Sequence, residues 1–173
     1  MLKFLFFSFL VSSIMIVSIY SLSVTDIDNG SINFNNYRGK KILIVNTASG
    51  SPEVNQLAAL QQLYLQHQDS MVIIAFPTNS FGNEPKSDME LKTFMQGTYG
   101  ITFPIAAKSW VRGDSANIIY QWLGDKIQND VMDGKTKRDF QKYLINSTGS
   151  IVAKFDSSVS PVSVVVQNAI HDN

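Results

Sequence analysis

Continuous apolar runs and helix-spaced apolar positions alternate along this chain. Ile42-Leu43-Ile44-Val45 and Met71-Val72-Ile73-Ile74-Ala75-Phe76 are unbroken, bounded by turn residues, and predict buried central strands. Between them Val54, Leu57, Ala58, Leu60 and Tyr64 recur on one helical face as far as about Gln66. Ser51-Pro52-Glu53 offers that helix a start: a serine cap, proline in the first turn and an early acid. Ser87 to Gln96 and Ser115 to Leu123 read as further helices, the latter with Ile118, Ile119 and Trp122 inward. A short strand is expected near Thr102–Ile105. Tyr143-Leu144-Ile145, a turn at Asn146–Ser150 and Ile151–Phe155 predict a strand–turn–strand unit, and an amphipathic helix runs from about Pro161 to Ile170. Upstream, Asp28-Asn29-Gly30 predicts a hairpin-like reversal.

This order, β-α-β, a connecting helix, a hairpin and a last helix, predicts an α/β domain with a mixed sheet. Crossovers of this length join parallel strands, and the terminal hairpin supplies the antiparallel part. The sequence shows no repeat and no low-complexity linker.

The N-terminus follows a different pattern. Met1-Leu2-Lys3 is a short positive start, and Phe4 to Tyr20 is apolar apart from serines. Ser21-Leu22-Ser23 then places small residues where a signal peptidase reads, so residues 1–23 are expected to be a signal peptide and 24–173 the domain. The alternative is an uncleaved membrane anchor, because a run of about 17 residues reaches the lower limit for spanning a bilayer. Either way the chain is expected to be exported, with the membrane involved only through this segment.

Composition narrows the chemistry. Fourteen basic and 14 acidic residues balance, without a basic stripe, so nucleic acid is not an expected partner. The chain has no cysteine. That excludes thiol catalysis, disulfides, thiolate-bound metals and a lipoprotein anchor, and it leaves stability to the core.

Tyr37-Arg-Gly-Lys-Lys-Ile-Leu-Ile-Val-Asn-Thr-Ala-Ser49 is the first of several collinear strings; it resembles the Y-K-G-K-x-x-L-I-V-N-V-A-S of the glutathione peroxidase family, which has a thioredoxin-like fold. Phe76-Pro-Thr-Asn-Ser-Phe-Gly82 with Glu84-Pro85 resembles F-P-C-N-Q-F-G-x-Q-E-P. Tyr99-Gly-Ile-Thr-Phe-Pro-Ile105, Tyr120-Gln-Trp-Leu123 and Phe140-Gln-Lys-Tyr-Leu-Ile-Asn146 match later strings, so the resemblance covers Asp26 to the C-terminus.

The resemblance also implies where the family's chemistry would lie. Its peroxidatic Cys or selenocysteine falls at Ser51, its glutamine at Ser80, and its tryptophan and asparagine at Arg138 and Asp139. The resolving cysteine of many thioredoxin-dependent members falls around Met95–Gln96. Peroxide reduction needs a thiolate, and serine is a poor nucleophile without an adjacent base and has no sulfenic state. The expectation is therefore a family member without thiol peroxidase activity, serving in binding or as a scaffold for a protein or small-molecule partner. Two alternatives remain: a peroxide-reducing oxidoreductase working by another mechanism, and a membrane-anchored structural envelope protein.

Other constellations point to less. His67 is expected at a helix end and His171 at a frayed terminus, and neither has zinc-ligand spacing. Asp125, Asp130, Asp133 and Asp139 lack calcium-loop spacing, so no metal or cofactor is expected. Arg138 and Asp139 could form a new polar pocket with Ser51 and Ser80, although adjacent opposite charges are more often simply solvated. Asn29-Gly30-Ser31 and Asn146-Ser147-Thr148 are glycosylation sequons if the source is a eukaryote.

Overall fold

The computed structural model describes residues 16–172. A 3-10 turn, Ile19–Ser21, leads into a small antiparallel hairpin of β1 (Ser23–Thr25) and β2 (Ser31–Asn33). Asp26 closes it: its Oδ1 accepts the Asp28 and Gly30 amides, both at 2.8 Å. A second 3-10 turn, Phe34–Tyr37, precedes β3 (Lys41–Thr47), α1 (Gln56–His67), β4 (Met71–Pro77) and α2 (Asp88–Tyr99). Two short helices, α3 (Ile118–Gly124) and α4 (Lys126–Asn129), are followed by β5 (Lys142–Ile145), β6 (Ile151–Phe155) and α5 (Val164–His171).

The main sheet has the order β4-β3-β5-β6. β3 runs parallel to β4 and antiparallel to β5, with Ile44 facing Ile74 on one side and Tyr143 on the other. The crossover through α1 fits the parallel β3–β4 pair, and the Asn146–Ser150 turn makes β5 and β6 antiparallel.

Strand residues alternate between two apolar layers. Ile42, Ile44, Val72, Ile74, Phe76, Tyr143 and Ile145 pack on one face with Ile19, Tyr20, Trp122 and Leu123. Leu43, Val45, Ile73, Ala75 and Leu144 pack on the other with residues of α1, α2 and α5. Burial on both faces is why these strands read as continuous apolar runs rather than alternating ones.

Three local expectations change. Regular helix begins at Gln56, not beside Ser51, and Asn55 stands at the cap position. Residues 51–56 instead form successive four-residue turns, Val54 N–H to Ser51 O at 3.1 Å and Gln56 N–H to Glu53 O at 2.9 Å. Proline at 52 has no N–H to give the first turn. The strand expected near Thr102–Ile105 is reduced to a bridge in which Ala75 N–H donates to Pro104 O and Ala106 N–H to Ala75 O. Ile118, expected inward, is exposed, because α3 starts at that residue behind the Asn117 cap.

The N-terminal strap belongs to this core. Ile19, Tyr20 and Leu22 are buried. The Tyr20 hydroxyl donates to Ser147 O at 2.9 Å, and the Arg38 guanidinium lies 4.3 Å from its ring centroid. A boundary between Ser23 and Val24 would run through β1.

Candidate functional site

The site gathers at the C-terminal ends of β3 and β4, where their loops meet residues 137–141. Asn46, near the end of β3, receives Phe140 N–H on its carbonyl at 2.7 Å, and its Nδ2 donates to Arg138 O at 2.8 Å. That pairing draws the segment before β5 across the strand end. It also holds Phe140 at φ 58, a left-handed conformation unusual for a bulky residue.

Two loops are pinned to each other beside it. The buried Glu84 carboxylate accepts Ser49 N–H at 2.6 Å and Ser49 Oγ–H at 2.7 Å. Gly50 N–H donates to Asn83 O at 2.9 Å, and a Cβ at position 50 would sit 2.8 Å from that oxygen. Only glycine permits this approach.

Ser51 follows directly. It is 3% exposed, its Oγ–H donates to Glu53 Oε2 at 2.7 Å, and its Oγ accepts Glu53 N–H at 3.3 Å. Ser51, Glu53, Phe81, Asn83, Lys137, Arg138 and Asp139 line one pocket of about 180 Å³. Asp139 is buried at its wall: Asn83 Nδ2 donates to Oδ2 at 2.7 Å, while Oδ1 has no partner. Burial raises the Asp139 carboxyl above its ordinary value, Asn83 opposes the shift, and the Glu53 and Glu84 charges add to it.

Behind the pocket the buried Lys142 ammonium donates to Phe140 O and Val159 O, each at 2.8 Å, and to Ser157 O at 3.3 Å. Desolvation lowers its pKa to about 8, against the opposing pull of Glu53 and Asp156.

Of the four positions singled out in the sequence, three converge here. Ser51, Arg138 and Asp139 share the pocket, but Ser80 is turned away from it. Its Oγ accepts Thr78 Oγ1–H and Val111 N–H, both at 2.9 Å, so it fixes the loop after β4 to residue 111. Glu53, Phe81, Asn83 and Lys137 were missed as site residues. Glu53 and Asn83 lie within or next to the family-like strings, but which way they face is set by the turns at 51–55 and the Gly50 approach.

The polar pocket expected of Arg138 and Asp139 is therefore made by Asp139 with Glu53 and Asn83, while Arg138 stands exposed at its rim. His67 and His171 lie outside the lining and meet each other, with ring centroids 5.9 Å apart. His171, expected to fray, ends α5, and His67 also contacts Gln167 at 3.1 Å. Among the described residues no group of three or more His, Asp or Glu side chains could hold a metal ion.

A mixed four-stranded sheet flanked by helices, with a site at the end of β3 and the turn into α1, defines a thioredoxin-like α/β protein. The apo crystal structure of Trgpx superimposes with a TM-score of 0.68 at 27% identity, over 90% of this chain and 96% of that one. A thioredoxin-family thiol:disulfide interchange protein from Chlorobium tepidum gives 0.64 at 13% identity, over 92% of this chain and 99% of that one, which speaks for the fold alone.

The chain belongs to the glutathione peroxidase family, whose sequence pattern matches residues 19–124. It is 38% identical over 144 residues to the glutathione peroxidase-like peroxiredoxin gpx1 of Schizosaccharomyces pombe, covering 82% of this chain and 90% of that protein. With the glutathione peroxidase homolog BsaA of Bacillus subtilis it shares 31% over 147 residues, 84% of this chain and 92% of that protein.

Proposed function

We propose that this is an exported member of the glutathione peroxidase family that does not work as a thiol peroxidase. Its role is to bind a protein or small-molecule partner, or to act as a scaffold, through the pocket at Ser51. The observation that carries this reading is the residue at the head of α1's leading turns. In a chain without cysteine, position 51 is a buried serine whose proton is held by Glu53.

The chemistry supports the same conclusion. Reducing a peroxide requires a nucleophile that attacks the O–O bond and survives as a reversible oxidised form, which a thiolate does through sulfenic acid. A serine hydroxyl can do neither. The arrangement also lacks histidine in the pocket lining. Asp139 and Arg138, in the positions that the resemblance gives to asparagine and tryptophan, place charge where the family places neutral groups.

Purified protein should consume hydrogen peroxide no faster than buffer, with either glutathione or a thioredoxin system as reductant. Turnover above that blank would overturn the proposal.

A further inference from the structure

We infer that the hollow at Ser51 takes a small zwitterion, a free α-amino acid, with its ammonium toward Glu53 and Asp139 and its carboxylate toward Lys137 and Arg138. This deepens the proposed binding role and rests on it. Opposite charges line this one hollow without neutralising each other. Among the described residues the one salt bridge joins Lys92 to Asp28, so neither Lys137 nor Arg138 is paired with Glu53 or Asp139. A molecule carrying only a positive charge would leave the basic rim unmatched. One carrying only a negative charge would meet two carboxylates. A ligand of both signs matches both sides.

The acidic side has acceptors to spare. Ser51 Oγ–H occupies Glu53 Oε2 at 2.7 Å and leaves Oε1 free. Asn83 Nδ2 takes Asp139 Oδ2 at 2.7 Å, while Oδ1 is buried without a partner in a residue only 4% exposed. A buried carboxylate oxygen without a donor is costly, and a ligand that brings N–H groups relieves that cost. Burial raises the Asp139 carboxyl, Asn83 opposes the shift, and the charges that bear on it, Glu53 and Glu84, raise it further. Lys142 is no counter-charge for Asp139, because its N–H groups are spent on the carbonyls of Phe140, Ser157 and Val159. A ligand ammonium brings three donors together with the missing positive charge.

The basic side is held in place from below. Buried Gln141 accepts the Lys137 and Arg138 amides on its Oε1, and Asn46 Nδ2 donates to Arg138 O at 2.8 Å. Their backbone is therefore fixed while both side chains stand exposed at the rim. A guanidinium presents paired N–H groups that fit a carboxylate, and the neighbouring ammonium adds charge. Size narrows the class further. The hollow of about 180 Å³ is smaller than the roughly 300–1,000 Å³ of pockets for drug-sized ligands. That favours amino acids of glycine or alanine size, whose two charged groups are one carbon apart.

The test is an NMR titration of the purified full chain with glycine at neutral pH, beside methylamine and acetate as probes of one charge each. Glycine should give saturable shifts around residues 51–53, 83 and 137–139, with an affinity at least about tenfold above either single-charge probe. Asp139→Asn and Arg138→Gln should each weaken glycine at least about tenfold. Both variants should keep the unfolding midpoint of the unaltered protein or exceed it, so that lost binding is not lost folding. Acetate or methylamine binding as tightly as glycine would overturn the inference in favour of a plain anion or cation site. Absence of saturable shifts with glycine would overturn it outright. The peroxide assay on the same preparation keeps the two readings apart. Turnover at the blank without glycine binding removes this inference alone, whereas turnover above the blank removes the proposed function.

Discussion

The Ser51 hydroxyl donates to the Glu53 carboxylate across 2.7 Å, so the residue to which the sequence resemblance would give the nucleophile's place is held by an acid two residues on. The contact joins the sequence-level exclusion of thiol chemistry to a particular geometry. Any nucleophile placed at 51 would have a negative charge beside it, the reverse of what activates a thiol.

Ser51→Cys is therefore expected to leave peroxide turnover at the blank. Its thiol should titrate above the usual value of about 8.5, because Glu53 opposes a second negative charge in a buried place. The pH dependence of iodoacetamide alkylation would measure this. Adding Glu53→Gln should lower the thiol's pKa. Robust peroxidase activity from Ser51→Cys alone would show that a thiol at position 51 is active despite the Glu53 carboxylate beside it.

Asp139 sets a pH dependence of known sign. Its folded-state pKa is raised, so its contribution to stability is present below the ordinary carboxylate value and lost as pH rises through the raised one. Asp139→Asn keeps an acceptor for Asn83 and removes the buried charge. That variant should be more stable than the unaltered protein at neutral pH by about 1 kcal/mol. The difference should shrink in acid, which urea unfolding across pH would show.

Lys142 should act in the opposite range. Its folded pKa of about 8 lies below the model-peptide value of 10.5, so stability should rise with pH between the two. Lys142→Met should abolish that rise. It should also cost roughly 2–4 kcal/mol at neutral pH, because the carbonyls of Phe140, Ser157 and Val159 lose their donor. Thermal unfolding from pH 7 to 10.5 would check both.

The strap makes a further demand. Ile19→Ala should cost roughly 2–4 kcal/mol, as for other fully buried aliphatic side chains. Ile16→Ala, at an exposed side chain of the same strap, should leave the unfolding midpoint nearly unchanged. A silent Ile19→Ala in denaturant unfolding would show that the strap contributes little.

The sequence by itself determined the architecture and the place of the site. Doubly buried strands must be continuously apolar, so β3 and β4 were legible, as were β6 and the helix beginning at Ser87, where the structure adds a capping box with Glu90. The absence of cysteine needed no structure either. Tertiary structure decided what each site residue does. Ser80 shares a family string with Phe81 yet turns to Val111 N–H, because orientation inside a loop depends on which amide happens to face it. Asp139 looked like a solvated partner of Arg138. The Asn46 pairing with residues 138 and 140 holds it in a buried place instead, and burial raises its pKa. An apolar stretch can equally enter a membrane or a core, since both exclude water. Only the contacts of Val17, Ile19 and Tyr20 assign the end of the N-terminal run to the core.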